Sequence, residues 1–204
     1  MIKRSAFIVP SLPMSRKECP SGPQWIHEAK FDGWRAQLHK AGNEASIFTR
    51  KGNACTDRFP SIRDAVLSLP FNSAIIDAEA VACGEDGKPD FKLLMQNSTG
   101  TMCAWCFDLL ELNGRDLRPL PLVERRIRLR HLLAKADEHA LRYSEEFHDP
   151  ETLLAAAEQQ GLEGVVSKLT YQPYRSGKNP GWIKVKTAVC RKANRDRHKL
   201  FEER

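Results

Sequence analysis

The residues best suited to chemistry lie in the segment Glu28-Ala29-Lys30-Phe31-Asp32-Gly33-Trp34-Arg35. A lysine amine can serve as a nucleophile in covalent catalysis, and a strand end that breaks into a turn is a good place for one. Residues 25–30 have the pattern of a short strand, and residues 35–39 that of a second strand after a glycine turn. Period-2 geometry puts Glu28 and Lys30 on one face, so both side chains can reach the same ligand.

A second pair of lysines lies in the segment Trp182-Ile183-Lys184-Val185-Lys186. Strand alternation places Lys184 and Lys186 on one face and Ile183 and Val185 on the other. Two like charges side by side repel each other unless an anion lies between or above them. The alternative is an amphipathic edge strand whose lysines point into water, which is a common protection against aggregation.

Two further segments, Asp77-Ala78-Glu79 and Glu163-Gly164, offer carboxylates on or beside predicted strands. Carboxylates can hold a ribose hydroxyl or, together with waters, a Mg²⁺ ion, although each acid taken alone fits a solvated surface better. Phe107 on an apolar strand can present its ring to a purine or can belong to the core.

The hydrophobic periodicity predicts an α+β fold with mostly antiparallel sheets flanked by helices. Strands are predicted at residues 25–30, 35–39, 45–50, 74–81, 102–110, 164–167 and 181–186. Helices are predicted at residues 61–69, 121–133 and 151–160. Asp149 can cap the last of these helices, and Pro150 suits its first turn. Four prolines before residue 24 favour an extended lead-in.

Length and composition are those of a soluble globular protein with one substantial domain. The chain has 204 residues, of which 41% are hydrophobic and 28% are charged. No apolar run approaches the length of a membrane span, and the N-terminus lacks the pattern of a secretory signal, so a cytoplasmic protein without membrane contact is expected. The net charge of +6 is concentrated between Lys168 and Lys199, which suits either a polyanionic partner or a solvated tail.

The six cysteines are scattered along the chain. Cys103 and Cys106 have a C-x-x-C spacing, but they lie in an apolar, strand-like run without a second pair or a clustered histidine. Buried thiols are therefore a better interpretation than a metal or redox site.

Taken together, the segments resemble the nucleotidyltransferase family of ATP-dependent DNA ligases, RNA ligases and mRNA capping enzymes. The flanking sequence is most similar to the bacterial ATP-dependent DNA ligases related to the ligase part of end-joining enzymes, and residues 174–178 support that subgroup. The matching pieces, in chain order, are Lys30-Phe31-Asp32-Gly33-Trp34-Arg35, Thr49-Arg50-Lys51-Gly52, Asp77-Ala78-Glu79, Cys106-Phe107-Asp108, Glu163-Gly164-Val165-Val166-Ser167-Lys168 and Trp182-Ile183-Lys184-Val185-Lys186.

The resemblance implies a nucleotidyltransferase core of ATP-grasp-like type, with ATP as the nucleotide and Mg²⁺ or Mn²⁺ as the metal. Lys30 is expected to attack the α-phosphorus of ATP, release pyrophosphate, and later pass AMP to a DNA 5′-phosphate for nick sealing. The attack needs an uncharged amine, which neighbouring cations favour over the ammonium. The implied roles are catalytic assistance for Lys184 and Lys186, adenine contact for Glu28, purine stacking for Phe107, ribose binding for Glu79, sugar or phosphate contact for Arg35 and Arg50, and metal binding for Glu163 with Asp32 assisting.

One departure from the family concerns the end of the chain. Ligases of this family continue past the last lysine motif into an oligonucleotide-binding barrel, and residues 187–204 are too few for five strands. We therefore expect an adenylation domain over residues 1–186, a short basic tail over residues 187–204, and no C-terminal barrel. The expected partners are nicked or broken double-stranded DNA and a protein that supplies the missing DNA clamp, with weak activity in its absence.

Two other functions compatible with these motifs stay open. An RNA ligase would use the same nucleotide pocket, because the pocket does not report the sugar of the acceptor strand. A nucleotide- or DNA-binding module would keep the basic face but need a partner for turnover. A capping guanylyltransferase fits the ligase-like flanks less well.

Overall fold

The computed structural model of the chain describes residues 6–83 and 101–191. Contacts divide these residues into two compact units. The six-strand unit comprises described residues 6–11, 32–83, 101–144 and 171–177, and the four-strand unit comprises residues 12–31, 145–170 and 178–191. Most of the predicted basic tail, residues 192–204, lies outside the described residues, and the predicted domain boundary after Lys186 stays a prediction.

The described chain forms ten strands, three α-helices and one 3₁₀ helix as named elements. In chain order they are β1 (Ser11–Ser15), β2 (Trp25–Lys30), β3 (Trp34–Ala41), β4 (Glu44–Thr49), a 3₁₀ helix (Thr56–Arg58), α1 (Pro60–Ser68), β5 (Ser73–Cys83), β6 (Thr101–Leu112), β7 (Arg115–Asp116), α2 (Leu122–Leu133), β8 (Leu141–Tyr143), α3 (Pro150–Gln159), β9 (Gly164–Leu169) and β10 (Gly177–Lys186).

The six-strand unit is built on a sheet of order β4-β3-β5-β6-β7, with β8 paired to β6. Every pair along this path is antiparallel, and only the pair of β6 with β8 is parallel. Apolar residues that alternate along the strands meet the apolar faces of α1 and α2, and Leu38, Ile76 and Leu109 are fully buried in this core. Their burial fixes which strand residues point away from the core.

Helix α2 carries two arginines that are buried rather than solvated. Arg125 forms a two-pronged ion pair with Asp108, with nitrogen–oxygen distances of 2.7 and 2.8 Å. Arg126 donates hydrogen bonds to the carbonyl oxygens of Phe107 and Ser144 at 3.1 and 2.7 Å. Guanidinium groups tolerate burial when a carboxylate or several carbonyls satisfy their planar donors, so these arginines fasten α2 to β6.

The four-strand unit has the strand order β1-β10-β9-β2, and α3 packs against β2 and β9. Asp149 caps α3, because its side chain accepts hydrogen bonds from the backbone amides of Glu151 and Thr152 at 3.0 and 3.2 Å. Leu153 and Ala157 are the buried residues of this helix. The antiparallel registers of β9 with β2 and with β10 determine which side chains share a face of this sheet.

The predicted α+β fold with mostly antiparallel sheets is confirmed. The predicted strand at residues 25–30 coincides with β2, and the helix predicted at residues 151–160 is displaced by one residue from α3. The structure adds β1 within the predicted extended lead-in, and it adds the short strands β7 and β8. These strands have five, two and three residues, too few to show a period of their own.

The structure also decides the predictions for the two cysteines of β6 and for the strand that carries Lys184 and Lys186. Cys103 and Cys106 are both fully buried, as predicted, and their spacing of three residues along a regular stretch of β6 points them to opposite faces. The alternative of an edge strand for the two lysines is wrong, because β10 lies between β1 and β9. Within the described residues, no helix has both the length and the apolar character needed to cross a membrane.

Candidate active site

One face of the four-strand sheet collects the predicted lysines. The registers place Lys30 of β2 beside Gly164 of β9, and Gly164 beside Lys186 of β10. Directly paired residues of adjacent strands point to the same face, so Lys30 and Lys186 flank a position that has no side chain. The next row of the same face is Glu28, Val166 and Lys184.

Glu163 lies between two of these lysines. One of its carboxylate oxygens contacts the Lys30 amine, and the other lies 2.8 Å from the Lys186 Nζ. Burial acts to raise the pKa of Glu163, but attraction to Lys30 and hydrogen bonds from Lys186 and Lys30 outweigh it, so the pKa lies below its ordinary value. Glu163 is therefore the anion between Lys30 and Lys186.

Gly164 permits this arrangement because a side chain would collide with the neighbouring strand. A Cβ atom built on Gly164 would lie 2.0 Å from the Val185 carbonyl oxygen and 2.8 Å from the Lys186 Cα. The backbone there has a φ of +156°, which L-residues rarely adopt. A glycine at this position lets β9 and β10 approach closely directly after Glu163.

Glu28 has a buried partner that the sequence analysis did not single out. Its carboxylate lies 2.6 Å from the Lys168 Nζ, and the two side chains are only 3% and 2% exposed. Lys168 Nζ also lies 4.5 Å from the centroid of the Trp182 ring. Lys168 follows Gly164 by four residues on β9, so period-2 alternation places both on the same face of the sheet. This is the face that carries Lys30 and Lys186, called the lysine face from here on.

In the six-strand unit, Arg35 is held by a carboxylate and lies over an aromatic ring. Arg35 Nε and Nη2 contact the two carboxylate oxygens of Asp77 at 2.6 and 2.7 Å. The Arg35 guanidinium carbon lies 4.3 Å from the centroid of the Phe107 ring. Burial acts to lower the pKa of Arg35, but the charge and hydrogen bonds of Asp77 outweigh it and raise the pKa. Arg35 is therefore a permanently charged and fixed group.

Phe107 owes its position to an irregularity of β6. The register passes from Asp77 opposite Asp108 to Ala78 opposite Cys106, so Phe107 is the extra residue of a β-bulge. Bulges re-aim a side chain and are common beside functional sites. Phe107 is 8% exposed, so the alternatives of a core residue and a stacking surface are both compatible with its burial.

The remaining predicted residues of the six-strand unit differ in their surroundings. Glu79 is directly opposite Arg35 in the pairing of β3 with β5, and its charge contributes to the raised pKa of Arg35. Arg50 is exposed in the turn after β4, and Asp32 is exposed two residues before the start of β3. The two predicted metal ligands thus belong to different units, Glu163 to the four-strand unit and Asp32 to the six-strand unit.

The sequence predicts that Gly33 serves a turn between two strands, but the structure gives another reason for a glycine there. A Cβ atom built there would lie 2.4 Å from the Ala80 carbonyl oxygen and 2.7 Å from a methyl group of Val81. Gly33 is not among the glycines with positive φ. Close approach to β5, rather than backbone conformation, is therefore what requires a glycine before β3.

Comparison with known proteins assigns the chain to a family. The family described as ATP dependent DNA ligase domain matches residues 14–186. The chain belongs to this family. Its motifs lie on the lysine face and on the sheet that carries Arg35, in agreement with the resemblance noted from sequence.

Individual relatives support the assignment. The chain is 37% identical over 185 residues to the multifunctional non-homologous end joining protein LigD of Pseudomonas aeruginosa, covering 88% of this chain and 22% of that protein. It is 39% identical over 173 residues to a probable DNA ligase of Beutenbergia cavernae, covering 78% of this chain and 33% of that protein. The chain therefore spans a third or less of the length of these curated relatives.

A solved structure shares the fold. The structure of a mycobacterial DNA ligase D complexed with ATP and MES superimposes with a TM-score of 0.77 at 25% sequence identity. The match covers 87% of this chain and 60% of that one. The antiparallel architecture described above is thus the nucleotidyltransferase fold of a ligase.

Proposed function

We propose that this chain is the adenylation part of an ATP-dependent DNA ligase and that Lys30 is its nucleophile. The observation that carries the proposal is the meeting of Lys30, Lys186 and Glu163 on one sheet face. ATP is the proposed substrate, nicked or broken double-stranded DNA the proposed acceptor, and the cytoplasm the proposed compartment. Family membership supports ATP as the nucleotide and DNA as the acceptor.

The proposed first step is nucleophilic displacement at phosphorus. The Lys30 Nζ lone pair forms a bond to the α-phosphorus, the bond from that phosphorus to the bridging oxygen breaks, pyrophosphate leaves, and the nitrogen gives up one proton to solvent. The product is a lysyl-AMP phosphoramidate. Lys184 and Lys186 neutralise charge that develops on the α-phosphate, since they lie on the same face as Lys30.

Glu163 opposes this step in the unliganded protein. Its carboxylate engages the Lys30 amine, whose lone pair must instead face the α-phosphorus for attack. Lys30 therefore becomes nucleophilic only after the ion pair with Glu163 opens. We infer that occupation of the site by ATP opens it.

The other predicted residues receive roles in binding the nucleotide. Glu28, held by Lys168, is assigned to the adenine edge, and Phe107 to stacking against the purine. Glu79 is assigned to the ribose, and Arg35 and Arg50 to the sugar or a phosphate. The fixed position and permanent charge of the Arg35 guanidinium support its role, because a cation held in place attracts a phosphate.

Glu163 is also the proposed ligand of Mg²⁺ or Mn²⁺, with assistance from Asp32. Among residues 6–83 and 101–191, no cluster of three or more histidine, cysteine or acidic residues could hold a metal ion alone. One or two carboxylates nevertheless fit Mg²⁺ in nucleotide sites, since waters and substrate phosphates complete its coordination. A bound ion would add positive charge at the phosphates.

Transfer of label from α-labelled ATP tests the nucleophile. We expect wild-type protein to retain label through a denaturing gel in the presence of Mg²⁺ or Mn²⁺, and the linkage to be acid-labile. Lys30→Ala should retain none, whereas Lys178→Ala, which removes an exposed lysine of β10, should label like wild type. Label that persists in folded Lys30→Ala, or its absence from folded wild type with both metals, contradicts the proposal.

Discharge of the labelled protein tests the acceptor. We expect AMP to move from the isolated adduct to the 5′-phosphate of nicked duplex DNA, followed by sealing. Faster discharge to an RNA acceptor would identify an RNA ligase. A wild-type protein that binds nicked DNA as well as Lys30→Ala does, yet forms no adduct, would be a binding module that needs a partner for turnover.

A further inference from the structure

Tyr174 makes contacts inside the six-strand unit that none of the roles above explains. It lies in the segment before β10, and its side chain is buried, with 8% of the residue exposed. Its hydroxyl donates a hydrogen bond to Asp77 Oδ2 at 2.7 Å and accepts one from the Ser11 backbone amide at 2.8 Å. Burial and the charge of Asp77 raise the pKa of Tyr174, so the hydroxyl stays protonated and remains a donor.

Asp77 transmits this contact to Arg35. Its carboxylate is fully buried, and its Oδ2 atom accepts hydrogen bonds from both Tyr174 and Arg35 Nη2, each at 2.7 Å. A carboxylate can rotate about its terminal bond unless several donors fix it. With Tyr174 on one oxygen and Arg35 on both, the plane of the carboxylate and hence the plane of the guanidinium are defined.

Ser11 closes the network. The backbone amide of Ser11 donates to Tyr174, and the Ser11 carbonyl oxygen lies 3.4 Å from Arg35 Nη2. Tyr174 and Arg35 are therefore connected by two routes, one through Asp77 and one through Ser11. Networks of this kind hold donors and acceptors more firmly than a single bond does.

The position of Tyr174 is itself held by the rest of the unit. The Tyr174 amide donates to the Arg118 carbonyl oxygen at 2.9 Å. Arg125, which is locked to Asp108, donates from Nη1 to the Gln172 carbonyl oxygen at 3.1 Å. The hydroxyl is thus presented by a segment tied to β6 and α2, and it is not free to follow a displaced Arg35.

We propose that Tyr174 is a positioning residue that, through Asp77, holds the Arg35 guanidinium over Phe107 in the orientation needed for nucleotide binding. This inference rests on the proposed function for the role of Arg35. Tyr174, the first residue of the segment 174–178, thereby contributes to nucleotide binding through Arg35.

Tyr174→Phe tests the proposal because it removes one oxygen and leaves the ring in place. We expect the ATP concentration for half-maximal single-turnover adenylation to rise roughly tenfold, the effect of losing one hydrogen bond to a charged group. The maximal rate should change less. Tyr171→Phe, in the same segment but 59% exposed, is the matched control and should behave like wild type.

A double-mutant cycle with Arg35→Lys separates positioning from general destabilisation. If Tyr174 acts through Arg35, the combined variant should be no worse than Arg35→Lys alone, because the effects of residues in one hydrogen-bond network are not additive. If the combined variant instead raises the half-maximal ATP concentration by the product of the two single effects, the substitutions act independently and the proposal is overturned. An unchanged half-maximal concentration in Tyr174→Phe would do the same.

A second readout does not depend on turnover. The Nε–H signal of Arg35 in proton–nitrogen NMR, assigned by its loss in Arg35→Lys, should exchange with solvent faster in Tyr174→Phe than in wild type or Tyr171→Phe. Equal exchange in all three proteins would show that Tyr174 does not hold Arg35. If wild type forms no adduct, the proposed function fails, while this comparison still decides whether Tyr174 positions Arg35.

Discussion

Glu163 shows how a single side chain can hold two lysines of one sheet face. Its two oxygens each contact a lysine, so the amine of Lys30 is held in place by the carboxylate. Opposite charges in partly buried positions interact more strongly than on the surface, because water screens them less. The same contacts contribute to folding stability, and their contribution depends on pH.

We expect Glu163→Gln to lower the free energy of unfolding near neutral pH and to have progressively less effect in acid. The pKa of Glu163 is lower in the folded than in the unfolded protein, so its stabilisation is complete above the unfolded value, about 4.3, and is lost as pH falls through the lower folded value. Urea unfolding of both proteins between about pH 7 and about pH 3 measures the difference. A difference that grows in acid would contradict the assignment.

The buried pair of Glu28 and Lys168 makes a second prediction for individual residues. Lys168→Met removes the ion-pair partner of a buried carboxylate and should cost about 3–5 kcal/mol of unfolding free energy. Lys168→Met combined with Glu28→Leu should recover most of that loss, because an apolar pair of similar volume replaces the ion pair. Chemical denaturation of the three proteins measures both effects, and equal stability of the two variants would show that the pair is not coupled.

At the scale of elements, the close approach of β9 and β10 depends on a residue without a side chain. Gly164 lies in the same row as Lys30 and Lys186, and the backbone of β10 occupies the space that a Cβ would need. The bulge of β6 has the comparable effect in the other unit, since it re-aims Phe107 beneath Arg35. In both sheets a local departure from regular strand structure positions the predicted site residues.

We expect Gly164→Ala to destabilise the protein by more than the roughly 1–2 kcal/mol that a left-handed backbone costs an L-residue. The added methyl group would overlap the Val185 carbonyl oxygen, and relieving that overlap requires moving a strand. Gly161→Ala is the matched control, since Gly161 has a φ of +70° and nothing lies within 4 Å of its added Cβ. Thermal unfolding compares the two, and equal losses would rule out the steric explanation.

For the whole molecule, charge is the property that bears on a nucleic-acid partner. The chain has 32 basic and 26 acidic residues, and its isoelectric point is about 9.1. A modest positive excess supports association with a polyanion without requiring it. Several of the positive groups are already committed to internal carboxylates, among them Arg35, Arg125, Lys168 and Lys186.

We expect binding to nicked duplex DNA to weaken steeply with salt, because each phosphate contact releases a counterion. A footprint of a few phosphates should reduce affinity by at least roughly tenfold between about 50 mM and about 200 mM salt. Fluorescence anisotropy with labelled nicked DNA measures the slope, and Lys30→Ala should share it, since one residue contributes little to the total. An affinity independent of salt would exclude a phosphate-dominated interface.

Local geometry explains what could be predicted from sequence. The period of two along a strand is a property of any extended backbone, so the alternation of Lys184 with Val185 predicted a lysine face without knowledge of its neighbours. Caps and prolines act within a few residues, which is why α3 was located to within one residue of its bounds. The ordered motifs then identified the family.

Partnerships between distant residues were decided only by the tertiary structure. Arg35 and Asp77 are 42 residues apart, Tyr174 and Asp77 are 97 apart, and Lys30 and Glu163 are 133 apart. No periodicity within a segment reports which strand lies beside it or in which register, since a shift by one residue would turn every side chain to the other face. The sequence alone thus determined the residue types, their faces and the family, whereas the tertiary structure decided that a carboxylate lies between Lys30 and Lys186 and that a buried tyrosine shares the Asp77 carboxylate with Arg35.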